Sequence, residues 1–291
     1  MVNANTTHNS DLFSALKGGG PNFGIVTQFD IHTHPLHRVW YTLNLYAATD
    51  YKSILNATVQ VQTAMSNDPK LGFFLNINPD VIIAGLLYAD WTLTPDAFSP
   101  MLEIPSVGVY LPETNGTIST LAASINIGDT SAKREPYAVS HDVDLGLYVS
   151  IQEAYLNILN TSTMPSANLS YTIQPIAATG VTQGVNAGGN VLGLIPRSQT
   201  WHAALVEWLD DTDDEAAHNS VNTLGSEVET LAAASNNLLE FQFMNDASFT
   251  QQPLQSYGAE NVARLQDTRQ AYDPDAVFQI LQNSGFLLSR V

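Results

Sequence analysis

With 291 residues, 44% of them apolar, the chain can bury a substantial core and is not a disordered protein. Its 28 Asp and Glu against 10 Lys and Arg leave a net charge of −18, which argues against binding to nucleic acid or to an anionic membrane surface, since both need clustered cations. The chain has no cysteine, so disulfides, thiolate nucleophiles, Cys-based zinc sites and iron–sulfur clusters are excluded.

In chain order, residues 11–17 read as a short amphipathic helix with Asn9 or Ser10 as its cap. Three glycines and Pro21 follow, then residues 23–32, whose alternation and branched side chains predict a strand ended by Pro35. A second strand is expected over 39–47, and a helix capped by Asp50 over about 51–66. Strands at 71–77 and 81–89 are joined by Asn78-Pro79-Asp80, a hairpin-type turn. Pro95 suits the first position of a short helix starting near Thr94, and 117–126 reads as another helix. Further strands are expected at 134–143, 169–176 and 200–208, and helices at 149–159, 213–235 and 258–271, the last ending before Asp273-Pro274. Residues 179–190 look loop-like. Strands separated by helices, with several hairpins, predict an α+β fold with a mostly antiparallel sheet flanked by helices.

Most clusters of chemically capable residues have ordinary readings. His32, His34 and His37 form H-x-H-x-x-H, with His32 and His34 on one strand face, yet no third ligand or supporting partner is visible, so no metal is assigned. The acidic run 210–215 lacks the glycine and the final glutamate of a calcium loop and reads as a helix start. In His141-Asp-Val-Asp144, strand alternation puts Asp142 on the face opposite His141. No G-x-S-x-G is present, and Gly18-Gly19-Gly20 with Gly24 misses G-x-G-x-x-G because Phe23 stands where the last glycine belongs. Five N-glycosylation sequons begin at Asn5, Asn56, Asn115, Asn160 and Asn168. With the acidity and low charge density they suggest a secreted ancestry, although the first ten residues lack the apolar centre of a signal peptide, so localisation stays undetermined.

Two segments are more specific. DLFSALKGGGPNFGIVTQFDIHTHP, from Asp11 to Pro35, is similar to the D-L-F-x-A-L-[RK]-G-G-G-x-N-F-G-I-V-T segment of berberine-bridge-enzyme-like FAD-linked oxidases, members of the vanillyl-alcohol oxidase superfamily. SYGAENVARLQDTRQAYDPDAVFQ, from Ser256 to Gln279, resembles their Y-G-x-N-x-x-R-L-x-x-x-K-x-x-Y-D-P-x-x-V-F tail. Gln174-Pro-Ile176 and Gly188-Gly-Asn-Val-Leu-Gly-Leu194 look like the fungal branch.

The resemblance implies three parts: an edge of the flavin domain over 1–34, a substrate-binding domain over 35–247, and a tail, 248–291, returning to the flavin-domain remnant. The large amino-terminal FAD-binding part of the family has no counterpart in these residues. By the same resemblance, Gly20, Asn22, Phe23, Gly24, Ile25 and Val26 line the flavin, Asn245 reaches it from the other side, and Tyr257 helps close the site. Where many relatives carry Leu-Asn-Tyr-Ala with a catalytic Tyr, this chain has Met244-Asn245-Asp246-Ala247, which makes Asp246 the candidate base. Tyr148, Tyr171, Gln174, Asn190, Trp201 and Trp208 are candidate substrate-pocket residues, each with an ordinary core or sheet-surface reading beside it. The implied reaction is oxidation of a small alcohol, sugar or secondary metabolite by FAD. The alternatives are a flavin-free cyclase or isomerase of specialised metabolism, or a non-catalytic binding protein or fragment. The phosphates of FAD need N–H groups or cations that the absent part supplies, so a homo-oligomer or a partner covering the exposed flavin-domain face is expected.

Overall fold

The computed structural model describes residues 1–33, 37–125, 132–162, 166–282 and 284–291; His34, one of the three clustered histidines, and Pro35, the expected strand terminator, lie outside them. In chain order the elements are α1 (Ser10–Leu16), β1 (Arg38–Ala47), α2 (Tyr51–Met65), β2 (Leu71–Ile77), β3 (Val81–Tyr88), α3 (Ser99–Leu102) and β4 (Gly108–Thr117). They continue with α4 (Ile118–Ser124), β5 (Lys133–Asp142), α5 (Leu145–Thr161), β6 (Asn168–Ile176), α6 (Ala178–Asn186) and β7 (Gln199–Trp208). The last are α7 (Asp214–Ala234), β8 (Leu238–Leu239), α8 (Ala259–Tyr272) and α9 (Val277–Ile280). The strands make one eight-stranded sheet in the order β4-β1-β3-β2-β6-β7-β5-β8, antiparallel at each described pairing. The fold is α+β, as the strand and helix pattern predicts. No helix among the described residues is long and apolar enough to cross a membrane.

The chain divides into two compact units. One holds Met1–His32, Ala178–Arg197 and Glu240–Val291; the other holds Thr33–Ala177 and Ser198–Leu239 and contains the whole sheet. Residues 178–197 thus join the terminal segments rather than the sheet that flanks them in sequence.

In the sheet unit, period-two alternation decides which side chains are core. Leu75, Ile77, Ile82, Ala84, Tyr171, Ile173, Ala204 and Val206 point to one face, where α2, α5 and α7 cover them with Ile54, Leu55, Tyr155, Val221, Leu224 and Val228. Each fully buried Leu, Ile or Val contributes about 1.5–3 kcal/mol relative to exposure, so this layer dominates the unit's stability. α5 starts one turn before the apolar stretch that predicts it, because the Asp144 carboxylate accepts the Leu147 N–H at 2.7 Å and caps the helix. The acidic run serves the start of α7: Asp213 accepts from Ser166, Asp214 from the Trp208 indole, and Lys133 bridges Asp211 and Asp214.

Three sequence expectations change. Residues 23–32 form no strand: Ile25, Phe29 and Ile31 are exposed, and no described strand pairs with them. Alternation alone cannot make a strand when no neighbour supplies the ladder. Conversely, β4 is a strand that propensity hides. Gly108, Pro112, Asn115 and Gly116 weaken the signal, but β4 is an edge strand held on β1, where a proline is tolerated. Residues 178–186, overlapping the loop expected over 179–190, form α6.

A polar cluster is sealed between the sheet and α5. Tyr148 Oη donates to Gln62 Oε1 at 2.7 Å and shares a hydrogen bond with Thr200 Oγ1; Tyr171 Oη donates to Gln152 Oε1 at 2.6 Å. His141 Nδ1 donates to the Asp142 carbonyl at 2.8 Å, while its Nε2 and both nitrogens of His202 have no partner. His141 packs edge-on against Tyr148, and His202 stacks on Tyr171. Burial pushes His141 down to about 4, partly offset by the Asp142 carbonyl and Asp144, and pushes His202 well below its ordinary range, with His141 adding to the shift.

Two expectations follow from this packing. Stability owed to neutral His141 is complete above pH 6.5 and lost as pH falls toward 4, because the unfolded chain takes up the proton that the folded core refuses. Denaturant titrations at pH 7 and pH 4 should differ by about 3 kcal/mol more for the wild type than for His141→Gln. Gly225→Ala should destabilise by about 1–2 kcal/mol despite better helix propensity, since a β-carbon on α7 would sit 2.2 Å from the Tyr137 ring. A lower urea midpoint for Gly225→Ala checks this.

Candidate functional site

The glycine-rich turn begins where α1 stops. Lys17 Nζ donates to the Gly189 carbonyl at 2.5 Å and lies 4.7 Å over the Phe13 ring, and Gly19 N donates to the Ala15 carbonyl at 2.8 Å. Gly20 has φ +66°, and a β-carbon there would lie 3.2 Å from Met244 Sδ. The turn therefore abuts the 3₁₀ turn Met244–Asp246 in the same unit, although the two are over 200 residues apart in sequence. Gly24, with φ +154°, has nothing within 4 Å of where its β-carbon would be, so its backbone is open to close approach by a flat ligand.

Tyr257 anchors this turn. Its phenol, pushed up by burial, donates to the Gly18 carbonyl at 3.0 Å, and its ring stacks on Phe241 at 5.9 Å between centroids. Gly193 is required beneath it: φ is +68°, and a β-carbon would meet the Tyr257 carbonyl oxygen at 2.4 Å. Asn22 is fully buried and saturated. Its Nδ2 donates to the carbonyls of Gly19 (2.7 Å) and Phe286 (3.0 Å), and its Oδ1 accepts from Gln279 Nε2 (3.0 Å) and Leu288 N (2.9 Å).

Of the other expected flavin-side residues, Phe23 is buried, Ile25 and Val26 are exposed, Asn245 is exposed, and Asp246 is half-buried with its N–H donating to the Phe243 carbonyl. Asn190 is exposed in this unit and accepts from Leu192 N through Oδ1. Met244, Gly193 and Gln279 are the residues that sequence reasoning missed here. All three stood inside quoted motifs, but nothing local in those motifs marks them as contacts of the glycine turn or of Asn22.

The remaining pocket candidates lie in the sheet unit and separate by face. Gln174 and Trp201 are cross-strand partners on β6 and β7, half-buried on the face away from α5, with Thr172 and Asn76 beside them; Asn76 Nδ2 donates to Thr172 Oγ1 at 2.9 Å. Tyr148 and Tyr171 are in the polar cluster on the helix-covered face, fully buried, with their phenols raised by burial and engaged by Gln62, Thr200 and Gln152. Trp208 is buried on that same face against His218. Amphipathic aromatics look alike in sequence; only strand phase and helix register sort them. Among the described residues, no group of three or more His, Asp or Glu is placed to hold a metal ion.

No protein-family model matches the chain. Among curated proteins it is 33% identical over 293 residues to an FAD-dependent monooxygenase of Arthrobotrys oligospora, covering 100% of this chain and 57% of that protein. It is 29% identical over 291 residues to an FAD-dependent monooxygenase of Penicillium terrestre (99% of this chain, 56% of that one). It is 28% identical over 292 residues to a bifunctional solanapyrone synthase of Alternaria solani (99% and 56%). The chain thus spans little more than half the length of these relatives. Among solved structures it superposes on BBE-like 1 of Physcomitrella patens with TM-score 0.73 at 15% identity, covering 94% of this chain and 60% of that one. On xylooligosaccharide oxidase from Myceliophthora thermophila the TM-score is 0.70 at 16% identity, covering 94% and 61%. These structural likenesses show that the fold is that of vanillyl-alcohol-oxidase-type FAD oxidases.

If the Tyr257 phenol holds the glycine turn, Tyr257→Phe should cost about 1 kcal/mol, because the part-buried Gly18 carbonyl loses its donor. Urea unfolding of that variant, compared with the wild type, measures the loss.

Proposed function

We propose that these residues form the substrate-binding portion and the ring-facing turn of an FAD-linked oxidoreductase of the fungal, berberine-bridge-like type. The substrate class is a small alcohol, sugar or secondary metabolite. One observation supports the reading most strongly: the glycine turn, with Gly20 against Met244, stands next to Asn245 and Asp246 inside a single unit. Curated relatives matched along the whole chain are named FAD-dependent monooxygenases, which supports the cofactor class.

The residues suit the ring end of FAD. Gly20 and Gly24 allow the backbone to approach a flat isoalloxazine, and Tyr257 keeps Gly18 in place. The pyrophosphate end needs N–H groups or cations that this turn does not provide, Lys17 being engaged by Gly189. That end belongs to the remaining length of the relatives, whether it continues this polypeptide or sits on a partner. The exposed, alternating apolar run of Ile25, Phe29 and Ile31 suits pairing with a strand of that portion.

Bound FAD supplies the hydride acceptor. On this reading, Asp246 takes the hydroxyl proton as the substrate carbon is oxidised. The five sequon asparagines are exposed, as N-glycan attachment in a secretory setting requires. A second reading, a flavin-free cyclase or isomerase using the same aspartate, draws support from the relative named a bifunctional synthase.

With the phosphate-binding portion supplied, an absorbance scan after FAD addition and dialysis separates the readings. Retained flavin bands, with Asp246→Asn lowering alcohol oxidation on the order of 100-fold, are expected. A colourless protein that cyclises an apolar metabolite moves the assignment to the second reading, and unchanged turnover in Asp246→Asn removes that residue from either mechanism.

A further inference from the structure

Family resemblance counts Asn22 among the flavin contacts, but its side chain has no hydrogen-bonding capacity left. An amide offers two N–H donors and two acceptor lone pairs. Here both donors reach carbonyls, at Gly19 and Phe286, and Oδ1 accepts from both Gln279 and Leu288. Gln279 Nε2 also lies 3.3 Å from the Asn22 carbonyl, and Gln279 Oε1 accepts Ser289 N at 3.0 Å. Asp273, itself buried, holds the start of α9 through Val277 N (2.7 Å) and Phe278 N (2.9 Å), and so fixes the helix that carries Gln279.

We infer that Asn22 is a positioning residue: with Gln279, it makes the carboxyl-terminal residues 286–289 the support that holds the glycine turn in its ligand-ready shape. The physical need is clear. Gly18, Gly19 and Gly20 have the largest conformational freedom of any residues, and Gly18, Gly20 and Gly24 all take positive φ. A glycine run keeps one shape only if outside bonds impose it. Tyr257 holds Gly18 and Ala15 holds the Gly19 amide; the Gly19 carbonyl is held by Asn22. Among the described residues, 279–289 hydrogen-bond to the turn through Asn22, so the effect of Asn22 on a ligand is indirect.

The functional part of this inference rests on the flavin reading; the conformational part does not. Hydrogen exchange on the full chain tests the latter without cofactor. Gln279→Ala removes the tail-side partner without touching the turn. It should speed exchange at the amides of 18–24 by about tenfold while the sheet unit is unchanged. Asn22→Ser should do the same, and the double variant should be no worse than either single one, as expected for one shared network. Unchanged exchange of 18–24 in Gln279→Ala would overturn the inference, as would fully additive effects. FAD titration monitored by flavin fluorescence adds the second arm: both variants should weaken binding by a similar factor, about tenfold. If Asn22→Ser loses FAD while Gln279→Ala retains wild-type affinity, Asn22 is a direct contact and the inference fails. If the wild type binds no FAD even with the phosphate-binding portion supplied, the flavin reading fails, and the exchange result still decides whether the tail shapes the turn.

Discussion

The sheet unit depends on one constraint: an eight-stranded antiparallel sheet has two faces, and α2, α5 and α7 cover one of them. Once that face is closed, each strand residue has its role assigned by parity. Tyr171 and Ile173 must pack; Thr172 and Gln174 must not. A slip of one residue in β6 would bury Gln174 and expose Tyr171, exchanging a hydrogen-bonded core phenol for an unpartnered amide. The same parity buries His141 and His202 together. Their neutral state is a consequence of enclosure, and it makes the core sensitive to acid.

Among its described residues the other unit has no sheet to impose order. Its shape at the glycine turn comes from a few long-range hydrogen bonds, made by Tyr257, Asn22 and Gln279, and from glycines placed where a β-carbon would collide, as Gly193 would with Tyr257. Such bonds are modest individually, but each satisfies a buried group that is costly to leave alone.

Similarity to curated FAD-dependent enzymes runs along the whole chain yet covers little more than half of each of them. Ile25, Phe29 and Ile31 are exposed in the unit that holds the glycine turn. Under the proposed function, phosphate recognition falls to the remaining length of those relatives rather than to the glycine turn.

Sequence by itself determined the α+β class, most strands and the long helices, because their periodicity is local and strong. It also marked the turn and the tail, since glycine runs and Asp-Pro breaks have local mechanisms. It could not show β4, whose weak residues are held by β1, nor α6. Aromatic composition could not tell Trp201 from Tyr171, because the covered face is chosen by helix packing. Least legible of all was Asn22 with Gln279: their bond spans 257 positions, and only folding brings two ordinary amides within 3.0 Å. Local patterns report on neighbours along the chain, whereas enclosure and long-range hydrogen bonding depend on what the rest of the chain puts in the way.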